Sequence, residues 1–170
     1  MAKKIAFIGT HGSGKTTLAH ELVVKLKKKG KHVEFLPEIV RDCPFPVNEE
    51  ATKKAQLWVL FMQIIKEFEK EEKADFLICD RSVLDPYVYY VRKFGRLKFI
   101  EPLVINHLKT YDLLIKVPIR ENFLINDNFR SIDKKFQKEI DELIDKFLKG
   151  MKIKYVEYKE GINLEEFVKC

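Results

Sequence analysis

The 170-residue chain carries a net charge of +6, with 46% hydrophobic and 12% aromatic residues. That length suits one domain with a sizeable core, and the composition excludes wholesale disorder. No apolar run reaches the roughly 18–20 residues needed to cross a bilayer, and Cys43, Cys79 and Cys170 have no spacing that suggests a disulfide framework or a zinc site.

The first residues lead directly into an apolar segment, without the h-region or cleavage site of a signal peptide. A reducing cytoplasm is therefore the expected compartment. Lysines interleave with glutamates, as in Lys66-Glu67-Phe68-Glu69-Lys70, which argues for a solvated surface and against a focused nucleic-acid stripe.

Residues 4–8 (KIAFI) read as a first strand ending at Gly9. From Lys15 the apolar spacing becomes helical through Leu18, Leu22, Val23 and Leu26, and Gly30 stops the helix. Residues 32–36 (HVEFL) form a second strand, closed by Pro37, and the proline-bearing stretch 38–48 reads as an irregular loop. A long helix is predicted over 49–73, with Leu57, Leu60, Phe61, Ile64, Ile65 and Phe68 as its apolar face. Trp58 on this helix could stack on a base, although helical spacing favours core packing.

Residues 75–79 (DFLIC) are continuously apolar after Asp75, as expected of a strand buried on both faces, with Cys79 a small core residue. Residues 84–109 look helical with a break at Phe94-Gly95-Arg96, and 112–117 (DLLIKV) form a fourth strand. A polar loop over 118–132 precedes an amphipathic helix over 133–149, which Gly150 ends. A fifth strand over 152–158 and a short helix complete the chain. Strands alternating with helices predict an α/β sandwich of three layers: about five parallel strands with helices on both faces.

Gly9-Thr10-His11-Gly12-Ser13-Gly14-Lys15-Thr16 satisfies G-x-x-x-x-G-K-[ST] between a strand and a helix. Glycines let successive backbone N–H groups close around phosphate, and the helix beginning near Lys15 adds its positive end. Lys15 is expected to reach the β- and γ-phosphates of ATP, and Thr16 to hold Mg²⁺, with Thr17 completing the phosphate-binding set. His11 and Ser13 occupy variable positions of the loop, and His11 reads as a spacer.

Asp80, Arg81 and Ser82 follow at the carboxyl end of a buried strand, where such sheets bind ligands. Asp80 can hold Mg²⁺ or accept a proton, and Arg81 can clamp phosphate. The alternative is a helix cap with a solvent-facing arginine. Glu38 stands at the end of the second strand, followed by Arg41, either beside the acceptor or as an ordinary loop glutamate. Arg120 and Asn126-Asp127-Asn128-Phe129-Arg130 lie in a polar loop able to fold over nucleotide, and Asp133 reads as a helix cap.

Together the phosphate loop, Glu38-x-x-Arg41 and Asp-Arg-Ser-x-x-Asp-Pro over residues 80–86 resemble the P-loop small-molecule kinases. The match is to the branch holding the ribosylnicotinamide kinase domain and related AAA-type ATP-binding proteins, and more distantly to deoxynucleoside and thymidylate kinases. Membership implies a P-loop NTPase sheet, Mg-ATP as donor, and an arginine-bearing lid over about 119–133 within a single domain of residues 1–170. It implies roles for Lys15, Asp80, Arg81 and the lid arginine Arg130, and acceptor contact for Glu38 and Arg41. The branch's lid pattern Asp-Gly-x-Arg is replaced here by Asp127-Asn128-Phe129-Arg130.

The expected activity is transfer of the γ-phosphoryl group of Mg-ATP to a nucleoside, nucleotide or nicotinamide riboside-like acceptor, by a protein that could form a homodimer. The alternative is a regulatory ATPase acting with a protein partner. A GTPase is disfavoured because no Asn-Lys-x-Asp motif is present.

Overall fold

The computed structural model describes residues 2–47, 50–120 and 133–168, Phe167 by its backbone alone. In chain order the elements are β1 (Lys3–Ile8), α1 (Lys15–Lys28), β2 (Val33–Leu36), a 3-10 turn (Ile39–Asp42), α2 (Lys53–Glu71), β3 (Phe76–Asp80), α3 (Leu84–Phe94), α4 (Glu101–Leu108), β4 (Leu113–Lys116), α5 (Lys134–Gly150), β5 (Val156–Glu157) and a 3-10 helix (Leu164–Val168).

Among the described residues, five parallel strands form one sheet in the order β2-β3-β1-β4-β5. The period of two splits each strand between two cores. Ala6, Ile8, Leu77, Cys79 and Leu114 join residues of α2 to α5 on one face. Ile5, Phe7, Phe76, Ile78 and Ile115 pack against α1 and the C-terminal 3-10 helix on the other. Both faces being covered explains why the central strands read as unbroken apolar runs. No helix among the described residues is long and apolar enough to cross a membrane.

The register fixes where loops emerge. Ile5 pairs with Ile78 and Phe7 with Asp80, so the chain leaves β1 and β3 at the same edge and side by side. β2 borders β3 with Leu36 opposite Cys79, and β4 borders β1 with Lys116 opposite Ile8. The segments after β1, β2, β3 and β4 therefore share one end of the sheet, the carboxyl end at which open α/β sheets bind ligands.

Several sequence expectations change. Within 38–48, residues Ile39–Asp42 coil into a 3-10 turn with Glu38 at its N-cap position, two residues past β2. The helix predicted from 49 begins at Lys53, because the Thr52 hydroxyl accepts from the Ala55 amide at 3.1 Å and caps it. Its buried face is also rotated from the apolar one: Gln56, Gln63 and Glu67 are buried, whereas Phe61, Ile65 and Phe68 are 41%, 45% and 55% exposed. Asp133 does cap α5, accepting from the amides of Lys135 at 2.8 Å and Phe136 at 3.2 Å.

The fifth strand contracts to Val156–Glu157, since β4 alone offers it an edge and pairs with only two of its residues. The short C-terminal helix is 3-10 in type. Gly150, expected just past the last helical residue, is itself the last residue of α5 and has no left-handed backbone; the left-handed position falls on Lys152 at φ 52°.

A right-handed Gly150 inside the last turn of α5 leaves room for a side chain. A Cβ added at Gly150 meets nothing within 4 Å, so Gly150→Ala should stabilise the protein by about 0.5–1 kcal/mol through helix propensity. Denaturant midpoints at constant m decide it; a loss of that size would restore Gly150 to the role of helix terminator.

Candidate functional site

The loop from Gly9 to Gly14 connects β1 to α1 through backbone conformations that side chains disfavour: φ is 146° at Gly9, 63° at Gly12 and 85° at Gly14. At Gly9 space is limiting as well, since an added Cβ would stand 2.6 Å from the Val117 carbonyl oxygen just past β4. The Ser13 hydroxyl donates to the Thr10 carbonyl at 3.1 Å, and Arg120 Nε donates to the Ser13 carbonyl at 3.0 Å. The Arg120 guanidinium also covers the Tyr158 ring at 5.4 Å, so the segment after β4 buttresses the loop from outside.

Lys15 is buried at the start of α1 and donates to the Thr10 carbonyl and, at 3.3 Å, to Ser13 Oγ. Burial and the neighbouring Arg81 push its pKa down to about 7, against the pull of Asp85, Asp80 and Glu38. Half-buried Thr16 donates its hydroxyl to Asp80 Oδ2 at 2.6 Å, whereas Thr17 points to the exposed side of α1. His11 is no mere spacer: it is buried, its amide donates to the Tyr89 hydroxyl at 3.2 Å, and its Nδ1 lies 2.8 Å from the same oxygen. Gln137 of α5 donates to the His11 carbonyl at 2.8 Å. These contacts tie the loop to α3 and α5.

At the end of β3, burial pushes the Asp80 carboxyl above its usual range; Glu38 adds to this while Lys15 and Thr16 oppose it. Its Oδ1 is buried with no hydrogen-bond partner among the described residues. Arg81 adopts φ 99°, uncommon for a side-chain-bearing residue and costing about 1–3 kcal/mol. It is 7% exposed, which removes the solvent-facing alternative. Its Nε donates to Glu38 Oε1 at 2.7 Å, and one terminal nitrogen reaches the Gly9 carbonyl and Asp85 Oδ1, each at 3.4 Å. Arg41 Nε donates to the other Glu38 oxygen at 3.2 Å.

Asp85 is the residue that sequence reasoning left without a role. Its Oδ1 accepts from the Gly9 amide at 3.2 Å, and its Oδ2 accepts from the Ser82 amide at 2.9 Å and hydroxyl at 3.1 Å. One buried carboxylate thus fastens the phosphate loop to the start of α3. Its signal was the fixed position three residues after Ser82, which by itself resembles a helix cap.

Residues far apart in sequence therefore converge: Lys15 and Thr16 from the start of α1, Asp80 at the end of β3 with Arg81 just past it, and Glu38 with Arg41 beyond β2. Arg130, and most of the stretch expected to form the lid, lie outside the described residues. Among the described residues no cluster of three or more His, Cys, Asp or Glu side chains forms a metal cage. Mg²⁺ binds through few protein ligands, completing its shell with water and phosphate oxygens. The Thr16 hydroxyl and the orphaned Asp80 oxygen beside it fit that donor set.

A family model described as an AAA domain matches residues 4–165. The structure is similar to deoxyadenosine kinase from M. mycoides with bound dATP, at 17% identity and a TM-score of 0.64, covering 98% of this chain and 95% of that one. It is also similar to thymidylate kinase from Ehrlichia chaffeensis, at 18% identity and a TM-score of 0.67, over 98% and 93% of the two chains. At such identities the likeness is one of fold. Curated proteins contain no match to the sequence.

The crowding at Gly9 supplies a direct check on this geometry. Gly9→Ala sets a methyl group against backbone that cannot swing aside, so it should cost about 2–4 kcal/mol in denaturant unfolding. A change below about 0.5 kcal/mol would mean that the loop does not approach Val117 as described.

Proposed function

The chain belongs to the AAA domain family and has the P-loop NTPase fold seen in nucleoside and nucleotide kinases, and we propose that it is a Mg-ATP-dependent kinase. It transfers the γ-phosphoryl group to a hydroxyl of a small nucleoside- or nucleotide-like metabolite. Residues 1–170 act as one domain, and Arg130 serves as the cation of a lid. A cytoplasmic setting suits that activity.

One observation carries the choice of acceptor: the Arg81 guanidinium is bonded to Glu38 at 2.7 Å and approached by Asp85 at 3.4 Å. An arginine so engaged offers little positive charge to an acceptor phosphate, and a second phosphate would stand against Glu38, Asp80 and Asp85. An alcohol meets no such repulsion and can donate its O–H to a carboxylate. The nicotinamide riboside, nucleoside and nucleotide acceptors considered from sequence all carry hydroxyls, so this reading narrows the reacting group and leaves the carrier open.

In the proposed reaction, the loop N–H groups and Lys15 bind the donor phosphates. Thr16 and Asp80 would hold Mg²⁺, which would supply positive charge against the developing phosphate charge. Glu38 orients the acceptor hydroxyl and takes its proton as the new O–P bond forms; the bond to the β-phosphate oxygen breaks and ADP leaves. Arg81 and Arg41 fix the Glu38 carboxylate in place, so the acceptor is aligned rather than merely bound.

The test is to follow ADP release with Mg-ATP and a panel of nucleosides, nucleoside monophosphates and nicotinamide riboside. Release should rise with one acceptor class, and Glu38→Gln should lower kcat by about 10²–10⁴-fold, a larger loss than any it causes in nucleotide affinity. Slow release indifferent to every acceptor would instead support a regulatory ATPase.

A further inference from the structure

Behind Arg81, between α2 and α4, lies a buried polar network made of residues outside the set already described. Its centre is Glu67, a fully buried carboxylate on the face of α2 that the apolar pattern had assigned elsewhere. Gln63 Nε2 donates to Oε1 at 2.9 Å, and the Tyr111 hydroxyl donates to the same oxygen. Oε2 lies 2.8 Å from His107 Nε2 and 3.1 Å from Lys4 Nζ. Burial alone would raise the Glu67 carboxyl, but the bonds from His107 and Tyr111 and the charge of Lys4 outweigh it and hold it below its usual range. An ionised Glu67 can only accept, so the His107 nitrogen facing it is the donor.

Two arms run from this centre to the turn after β3. Gln63 Nε2, with two hydrogens to give, also donates to the Arg81 carbonyl at 3.2 Å. The Tyr111 hydroxyl, while donating to Glu67, accepts from the Val83 amide at 3.3 Å. The Arg81 amide donates to the Phe7 carbonyl at 3.1 Å, continuing the bonding of β3 to β1. Arg81 is therefore held in front by the sheet and behind by Gln63, at the one non-glycine position of the site with strongly positive φ. Relaxation of that φ requires the carbonyl to turn, and the carbonyl is what Gln63 grips.

We propose that Gln63, itself oriented by Glu67, is a positioning residue: its amide holds the Arg81 carbonyl so that the guanidinium is aimed at Glu38. The kinetic consequence rests on the phosphotransfer reading; the structural consequence does not. Arg81 O would otherwise be a buried acceptor with one partner fewer, and Arg81 would lose the contact that opposes its backbone strain. A network serving only to fill the core would not need to end on this residue.

The experiment compares Gln63→Met, which keeps length and apolar bulk while removing both donors, with Lys4→Met, which cuts the same network at the end far from Arg81. The first readout is the Arg81 Nε–Hε signal in nitrogen-15 NMR, assigned by its absence in Arg81→Lys. In the wild type this hydrogen is buried and bonded to Glu38, so its exchange with solvent is slow. Gln63→Met should speed that exchange by about tenfold or more, a loss of about 1.4 kcal/mol in the bonded state, while Lys4→Met leaves it unchanged.

The second readout is turnover with the acceptor. Gln63→Met should lower kcat by about 10- to 100-fold with nucleotide affinity within about twofold, and Lys4→Met should lower stability with kcat within about twofold. Should Gln63→Met fail to fold, Gln63→Leu provides the same comparison. Unchanged Arg81 exchange in the Gln63 variant, or equal loss in both variants, overturns the positioning role. Should the exchange effect appear in a protein without acceptor-dependent turnover, the positioning of Arg81 stands and the kinase reading falls.

Discussion

A guanidinium cannot shed its proton at any ordinary pH, so an arginine that is 7% exposed must be paired wherever it sits. Arg81 is such a residue, and its pairing with Glu38 at 2.7 Å is the interaction on which the rest of the site depends. Burial would ease the proton off, but Glu38 first, with Tyr89, Asp85 and Asp80 behind it, holds it on more firmly than usual. Removal of Glu38 would leave a buried charge facing Lys15, whose own pKa burial and Arg81 already push down to about 7. The pair thus serves folding and the site together.

The sheet makes this pairing geometrically available. Because β1 and β3 run parallel with Phe7 opposite Asp80, the phosphate loop and the Asp80-Arg81 turn emerge as neighbours without any special loop design. Asp85 then bonds the Gly9 amide and the Ser82 amide at once, so that two loops from different strands behave as one rigid edge. Glu38 arrives at the same edge two residues past β2, whose last residue Leu36 stands opposite Cys79. Preorganisation of this kind matters most where charge is to be moved, since fixed dipoles and paired charges need no rearrangement during reaction.

The parts legible in the sequence were those encoded locally or by continuous burial. The loop from Gly9 to Thr16 declares itself in eight adjacent residues, and β1, β3 and β4 appear as apolar runs because both faces of the sheet are covered. The orientation of α2 was illegible for the opposite reason. Gln63 and Glu67 look outward to any reading of periodicity, and what draws them inward are Lys4, His107 and Tyr111, tens of residues away. Asp85 had no legible role, because its bond to the Gly9 amide forms only after β1 and β3 have paired. At the end of α5, glycine was read as punctuation, while the chain placed its left-handed residue at Lys152.

In the proposed reaction this edge moves a phosphoryl group onto an alcohol rather than releasing it to water. The decisive measurement follows ATP labelled at the γ-phosphoryl group, incubated with Mg²⁺ and an acceptor that stimulates ADP release. The label should appear esterified to the acceptor hydroxyl, in step with ADP. Label recovered only as inorganic phosphate, at a rate no alcohol changes, would contradict it.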